Sequence, residues 1–246
     1  MARKKRSRGE SGPKASRVHT LAIDVGGTGL KASVLDAKGK MIADRVRVET
    51  PVGASPRVIV DTLVKLVKPL PAFDRVSVGF PGVVRDGKVF TAPNLGNKAW
   101  RGYALADALA ERFGKPVRLS NDADMQGLGV IRGKGIELVI TLGTGFGTGL
   151  YWDGRAAPHL EIAHHPLRKG EDYDQQLGDR ARKKIGDRKW NRRVRGAIEI
   201  LRNLINFDRL YIGGGNAKRL DFKLDPDTVV VDNTAGIEGG IALWKE

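Results

Sequence analysis

From residue 20 onward the chain reads as short apolar runs broken by glycine. Leu21–Val25 is apolar except for Asp24 and stops at Gly26-Gly27. Leu30–Leu35 follows and stops at Asp36-Ala37-Lys38-Gly39, and Met41–Val48 alternates apolar and polar residues. Runs of this length bounded by glycine turns predict three strands joined as hairpins. Apolar residues at Val58, Ile59, Leu63, Leu66 and Val67 have helical spacing and predict a helix over Pro56–Lys68. A strand over Arg75–Gly79 then precedes the break at Pro81-Gly82.

The Ala- and Leu-rich stretch Tyr103–Phe113 predicts a helix and Val117–Ser120 a strand, with Asn121 placed to cap the helix after it. At Glu137 the design starts again. Strand Glu137–Leu142 ends in a glycine-rich turn, and Gly147–Trp152 returns. Trp190–Ile205 has helical spacing through Val194, Ile198, Leu201 and Ile205. Strand Arg209–Ile212 ends at Gly213-Gly214-Gly215, and Val229–Val231 is a last strand. A final helix is expected over Ala235–Trp244, weakened by Gly239-Gly240. Strands alternating with helices predict an α/β fold. Two similar halves, expected over residues 19–121 and 122–234, point to an internal duplication with a cleft between them.

Composition narrows the class. The chain has 246 residues, 41% of them hydrophobic, enough for two α/β cores. No apolar run approaches the ~20 residues that span a bilayer, so no membrane partner is expected. Residues 1–18 read as a basic disordered tail, without the apolar stretch of a secretory signal. There is no cysteine, which excludes disulfides and thiolate zinc sites and suits a cytoplasmic protein. The net charge is +15 and is concentrated in the tail and between Arg180 and Arg195. Such a field attracts polyanions, whereas the plainer reading is a solvated tail and a solvated helix face.

Several glycine-rich and polar segments carry candidate chemistry. In Asp24–Lys31, Gly26 and Gly27 let backbone amides approach an anion, Thr28 adds a hydroxyl, Lys31 a charge, and Asp24 a carboxylate for Mg²⁺. Thr141–Gly149 repeats the design, with Thr141, Gly143, Thr144 and Gly145 at the turn. One such turn is an ordinary hairpin; two at matching points of two halves suit the gripping of a phosphate chain. Gly213, Gly214 and Gly215 permit close approach of a flat ring such as adenine, or simply make a strand-to-helix turn. Asp122 stands at a strand-to-helix junction, where it is either a base for phosphoryl transfer to an alcohol or, with Asn121, part of a helix cap. Asn94 and Asn97 suit sugar hydroxyls. Glu161 and His164 suit either sugar hydroxyls or a carboxylate-rich metal site, and His159 and His165 are read as incidental.

In this order, "DVGGTGLK", "PNLG…W", "NDAD", "TLGTGFGTG", "E-I-A-H" and "GGG" resemble the ROK family of sugar kinases and sugar-responsive repressors, closest to its polyphosphate glucokinase branch. The likeness runs from Leu21 to the C-terminus. It implies an actin-like ATPase (ribonuclease H-like) fold of two α/β domains with the active site between them, and a C-terminal helix, residues 235–246, packing back on the first domain. It implies a glucokinase with Asp122 as base, hexose held by Asn94, Asn121, Glu161 and His164, and phosphates held by the two glycine turns with Mg²⁺. Gly213–Gly215 would lie near a nucleotide base. Partners would be glucose or a related hexose, polyphosphate or ATP, and a second copy as a homodimer.

Two departures bear on that reading. The cysteine-rich zinc motif of most members is replaced by "PLRKGEDYDQQLG", as in the polyphosphate-using branch, so no zinc is expected. The usual glycine between Glu and His is Ala163. Two other classes stay in view. One is a silent sugar sensor, against which stand Asp122 and both phosphate turns. The other is a nucleic-acid-binding protein, which lacks aromatics interleaved among its basic residues for base stacking. Residues 1–18 are too few for the helix-turn-helix of a repressor.

Overall fold

Two five-stranded sheets share one topology. The protein is described here by a computed structural model covering residues 18–53, 55–93, 95–231 and 239–244. In the first sheet β1 (Thr20–Val25), β2 (Gly29–Leu35) and β3 (Val46–Glu49) form an antiparallel meander. After helix α1 (Pro56–Leu66), strand β4 (Arg75–Phe80) returns parallel to the far side of β1. A small hairpin, β5 (Val84–Arg85) with β6 (Lys88–Val89), and helices α2 (Asn97–Trp100) and α3 (Leu105–Phe113) lead to β7 (Val117–Asn121), parallel to β4. The order is β3-β2-β1-β4-β7.

Helix α4 (Asp122–Leu128) joins this sheet to the second. There β8 (Ile136–Leu142), β9 (Phe146–Trp152) and β10 (Arg155–Ala156) repeat the meander. A hairpin of β11 (Pro166–Arg168) and β12 (Glu171–Asp172) precedes helices α5 (Tyr173–Leu177), α6 (Asp179–Ile185) and α7 (Asp187–Ile205). Strands β13 (Arg209–Gly213) and β14 (Thr228–Val230) complete the order β10-β9-β8-β13-β14, the last three strands being parallel. The duplication read from the sequence is thus present strand for strand.

Each sheet has its own core. Ile59 and Leu63 of α1 and Leu105 and Leu109 of α3 pack with Leu21, Ile23, Val76 and Val78 of the first sheet. Pro56 opens α1, where its fixed φ and missing N–H are no handicap, and Gly114 closes α3 in the left-handed conformation. In the second half Leu138, Ile140 and Leu142 pack with Tyr173, Leu177, Trp190, Val194 and Leu201. The buried Trp190 indole donates to Leu177 O at 2.8 Å, so the polar edge of that ring is satisfied.

Helix α4 is held from both halves. Asn121 accepts from the amides of Ala123 and Asp124, the capping alternative read from the sequence. Met125 lies against Gly79 of β4, where a Cβ would come within 2.8 Å of its Cε. From the other side the Tyr151 hydroxyl of β9 donates to Asp124 O at 2.7 Å. Gly127 and Gly149 leave room for that hydroxyl, since a Cβ at either would run into it.

The described C-terminal residues, Gly239–Trp244, form a 3₁₀ turn on the first sheet. Ser77 Oγ donates to Gly240 O at 2.6 Å and accepts from Trp244 Nε1 at 2.8 Å. The Trp244 ring lies under the guanidinium groups of Arg75 and Arg118, at 4.9 and 4.6 Å. The α-helix expected over Ala235–Trp244 is therefore corrected where it is described, and residues 235–238 lie outside the described residues. Backbone contact explains the departure: Gly239 sits directly on Met125 O and Gly240 against Ala22 and Ser77.

Other expectations shift. The third strand starts at Val46, while Met41 makes only a bridge to Leu35. The stretch before Trp190, read only as unusually basic, contains α5 and α6, which are too short to show periodicity. Their signals are local: a capping box between Asp172 and Gln175, and Asp179 in the first turn of α6. The expected tail lies outside the described residues except for Arg17's successor, Val18.

Gly127→Ala places a methyl on the Tyr151 hydroxyl and is expected to destabilise the fold by about 1–3 kcal/mol despite better helix propensity. Urea unfolding followed by tryptophan fluorescence measures this, and an unchanged midpoint would contradict the packing described.

Candidate active site

A cavity of about 460 Å³ opens between the two sheets and is lined from both. Sheet 1 contributes Asp24, the turn Gly26-Gly27-Thr28, Lys31, Pro81 and Gly82; α4 contributes Asp122; sheet 2 contributes Thr141 and the turn Gly143-Thr144-Gly145; and the loop before β11 contributes His159, Glu161 and His164. A second cavity of about 350 Å³ adjoins it, sharing Asp24, Lys31, Asp122 and Thr141 and adding Arg45, Gln126 and Gly215. The fold brings together residues as distant in sequence as Asp24 and His164.

In both glycine turns carbonyls at two positions are already taken, Gly26 and Thr28 in the first and Gly143 and Thr144 in the second. In the first, Thr50 Oγ1 donates to Gly26 O at 2.6 Å and Thr50 N to Thr28 O at 3.4 Å. In the second, the Asp179 amide donates to Gly143 O and Thr144 O at 3.0 and 3.2 Å, and Asn216 Nδ2 to Gly143 O at 3.2 Å. Among the described residues the amides of Gly27, Thr28, Thr144 and Gly145 have no protein acceptor. Two amide-lined turns facing one cavity are suited to an anion. Asp174 braces the second turn, accepting from Phe146 N at 2.7 Å and filling the place of a Gly145 side chain. Sequence reasoning missed Thr50, Asp174, Asp179 and Asn216, whose roles come from contacts across the chain.

Asp122 is the first residue of α4. Its carboxyl is pushed up to about 7, first by burial and then by the negative charge of Asp24 nearby, while the Ala123 amide and His159 pull the other way. A carboxyl that exchanges its proton near neutrality is matched to general-base work. Asn121 is mostly spent on structure. Its oxygen caps α4 and its Nδ2 donates to Gly82 O at 3.1 Å, which leaves one N–H.

Glu161 Oε1 accepts from Thr91 Oγ1 at 3.2 Å, so the loop of one half is tied to the loop of the other across the cleft. Thr91 Oγ1 also accepts from Val83 N at 2.8 Å, and Gly82 is pressed against Thr91 too closely for any side chain. The sequence marked Gly82 only as a break. His164 is exposed, with Nδ1 at 3.4 Å from Asp172. Ala163 packs on the second core, which accounts for a methyl where the family's usual residue is glycine. Asn94 lies outside the described residues.

The incidental reading of His159 is corrected. Its Nδ1 is 2.9 Å from Asp124 Oδ2, both side chains are almost fully buried, and the ring lines the cavity. His165 is exposed. The glycine triplet divides. Gly214 has φ 89 and sits on the Leu142 backbone, and Gly213 lies against Gln126; of these two cavities, Gly215 lines the smaller. Asp24 Oδ2 pairs with Lys31 Nζ at 2.8 Å, leaving the other carboxylate oxygen. Among the described residues no group of three or more His, Asp or Glu forms a ready metal cluster. No described helix is long and apolar enough to cross a membrane.

Known proteins resemble this chain in sequence and in fold. The model of the ROK family matches residues 20–165. The polyphosphate glucokinase of Mycobacterium tuberculosis (strain CDC 1551 / Oshkosh) is 33% identical over 238 residues, covering 90% of this chain and 89% of that protein. The crystal structure of the inorganic polyphosphate/ATP-glucomannokinase from Arthrobacter sp. strain KM superposes with a TM-score of 0.82 at 31% identity, covering 91% of this chain and 97% of that one. A ROK family glucokinase from Streptomyces griseus, in complex with glucose and AMPPNP, superposes with a TM-score of 0.74 at 21% identity over 92% of this chain and 98% of that one. The fold is the actin-like ATPase fold of these sugar kinases.

The position of Asp122 has a consequence for stability. An unfolded aspartate ionises near ~3.9, whereas Asp122 in the fold holds its proton to about 7. Between these values the folded chain carries the extra proton, so stability falls as pH rises through the window and stays lowered above it. Asp122→Asn is therefore expected to be more stable than the wild type above pH ~7, by on the order of a few kcal/mol, with the gap closing toward pH ~4. Thermal melts across that range test it; a gap independent of pH would show that Asp122 ionises normally.

Proposed function

The chain belongs to the ROK family, and on that premise we propose that it is a hexose kinase, a glucokinase that moves a phosphoryl group from polyphosphate or ATP to the sugar 6-hydroxyl. The carrying observation is one carboxyl, Asp122, held near neutral pKa in a cleft that two amide-presenting glycine turns also line. The relatives named as polyphosphate glucokinase and polyphosphate/ATP-glucomannokinase support the same reading.

In this mechanism the hexose sits among Gly82, Thr91, the remaining Asn121 N–H, Glu161 and His164. Asn94, whose counterpart the family resemblance assigns to the sugar, belongs to the same proposal. Asp122 accepts the proton of the primary hydroxyl as that oxygen attacks the terminal phosphorus. One O–P bond forms, the bridging P–O bond breaks, and the shortened phosphate chain leaves with the electron pair. The amides of Gly27, Thr28, Thr144 and Gly145, the hydroxyls of Thr28, Thr141 and Thr144, and Lys31 stabilise charge on the transferring group. The free oxygen of Asp24 would hold Mg²⁺ together with the donor phosphates, and the ion when bound neutralises part of their charge. Gly215, beside the smaller cavity, would be the member of the triplet that approaches a nucleotide base.

The donor reading rests on charge continuous with the second turn. Helix α6 begins against that turn through the Asp179 amide. Arg182 and Lys183 are occupied by Asp179 and Asp187. Arg180, Lys184, Arg188, Lys189 and Arg192 are exposed and have no acidic partner among the described residues. A long polyanion gains from such a track by counterion release, and ATP gains much less.

A coupled assay of glucose 6-phosphate formation with Mg²⁺ and either polyphosphate or ATP tests the activity. Asp122→Asn is expected to lower kcat by about 10²–10⁴-fold, and near-normal turnover would overturn the assignment of the base. Arg180→Gln with Lys184→Gln is expected to raise the KM for polyphosphate several-fold more than that for ATP, an effect that shrinks at high salt. Equal changes for both donors would argue against the track.

A further inference from the structure

The mechanism above leaves unused the most enclosed polar pair in the cleft. His159 Nδ1 and Asp124 Oδ2 are 2.9 Å apart, with side chains only 7% and 6% exposed. Asp124 is on the first turn of α4, one turn edge away from Asp122, and His159 precedes Glu161 by two residues. His159 lines the same cavity as Asp122, Glu161 and His164. Its Nε2 has no protein partner among the described residues, and the ring lines the cleft. A buried ionisable pair is expensive to desolvate, and apolar side chains would fill the same space at lower cost.

Resting on the hexose-kinase reading, we infer that His159 is a further contact to the acceptor sugar: Asp124 orients the imidazole through Nδ1, and Nε2–H donates to a sugar hydroxyl beside Glu161. Among the described residues donors are few at this end of the cleft, His164 being exposed and 3.4 Å from Asp172. Asp122 and Glu161 offer acceptors, and Asn121 has a single N–H to spare. A hydroxyl that gives its hydrogen to a carboxylate still needs a donor for its oxygen. The bond to Asp124 fixes the plane of the ring, as an outer partner does for other working histidines.

The groups facing His159 all favour the form that carries a proton on both nitrogens. Asp124 and Asp122 face it from α4 and Glu161 from its own loop, and Tyr151 of β9 bonds to the Asp124 backbone. Burial works against the charge, but the hydrogen bond and charge of Asp124 outweigh it and raise the pKa of His159 above its usual value. The donor is therefore present below that raised value and lost as pH rises through it.

Calorimetric titration with glucose, without donor or Mg²⁺, tests this between pH ~5.5 and ~9. The wild type should bind less tightly as pH rises. His159→Gln should bind about tenfold or more weakly at the acid end of that range and lose the alkaline weakening. Asp124→Asn should keep the binding but move the weakening to lower pH, because the imidazole loses its carboxylate. Repeating the titrations with Asp122→Asn as the background removes the titration of the base. Wild-type-like affinity and pH dependence in His159→Gln would overturn the inference, and so would a uniform loss with the pH dependence kept, the mark of a merely structural role. Should His159→Gln not fold, an unmoved profile in Asp124→Asn would overturn it equally. If the wild type binds no hexose at any pH, the kinase reading itself fails, a result distinct from hexose binding indifferent to His159.

Discussion

The first turn of α4 is the constraint on which the rest of the molecule depends. Asn121 ends a strand of the first sheet and caps the helix, and Tyr151 of the second sheet grips the backbone of Asp124. The C-terminal turn closes over Met125 from a third side. Asp122 thus occupies a fixed point between two separately packed cores. Polar groups enclosed this way are strongly specified, because each unmet hydrogen bond in the interior costs about 1–3 kcal/mol.

The glycines around that point are spacing elements. Gly79, Gly127, Gly149, Gly239 and Gly240 admit neighbouring groups where a methyl would collide or crowd. The two glycine turns of the cleft use glycine differently. Neither turn has a positive φ at Gly26 or Gly143; what matters is bare backbone, with carbonyls tied down by Thr50, Asp179 and Asn216 so that amides are left facing the cleft. Locking acceptors away leaves a neutral stretch of chain suited to an anion, and it happens twice by the same topology.

Function here opposes stability. The fold keeps a carboxyl at Asp122 that would rather be in water, next to the negative charge of Asp24, and buries an ionisable pair beside it. The cost is borne by two apolar cores and by the cation–π contacts of Trp244 with Arg75 and Arg118. The basic residues of α6 illustrate the converse. Arg182 and Lys183 are drawn into pairing with Asp179, which holds the second turn, so charge count alone overstates what that surface offers a ligand.

The sequence by itself determined the strand–turn–strand units, because period-two apolar runs and glycine breaks are local properties. It determined the duplication, since Asp24–Lys31 and Thr141–Gly149 repeat one pattern, and the cap at Asn121. The order of its motifs carried the family and the residues lining the cleft. Tertiary structure alone decided which polar side chains are free to act. Asn121 proved largely committed to capping and to Gly82, Gly213 and Gly214 to packing, while His159, unremarkable in sequence, was buried against Asp124. It also turned the last segment from the expected helix into a 3₁₀ turn pressed on α4. The physical reason is the same in each case. Hydrogen-bond saturation, desolvation and close backbone approach depend on neighbours tens of residues away, and no local pattern records them.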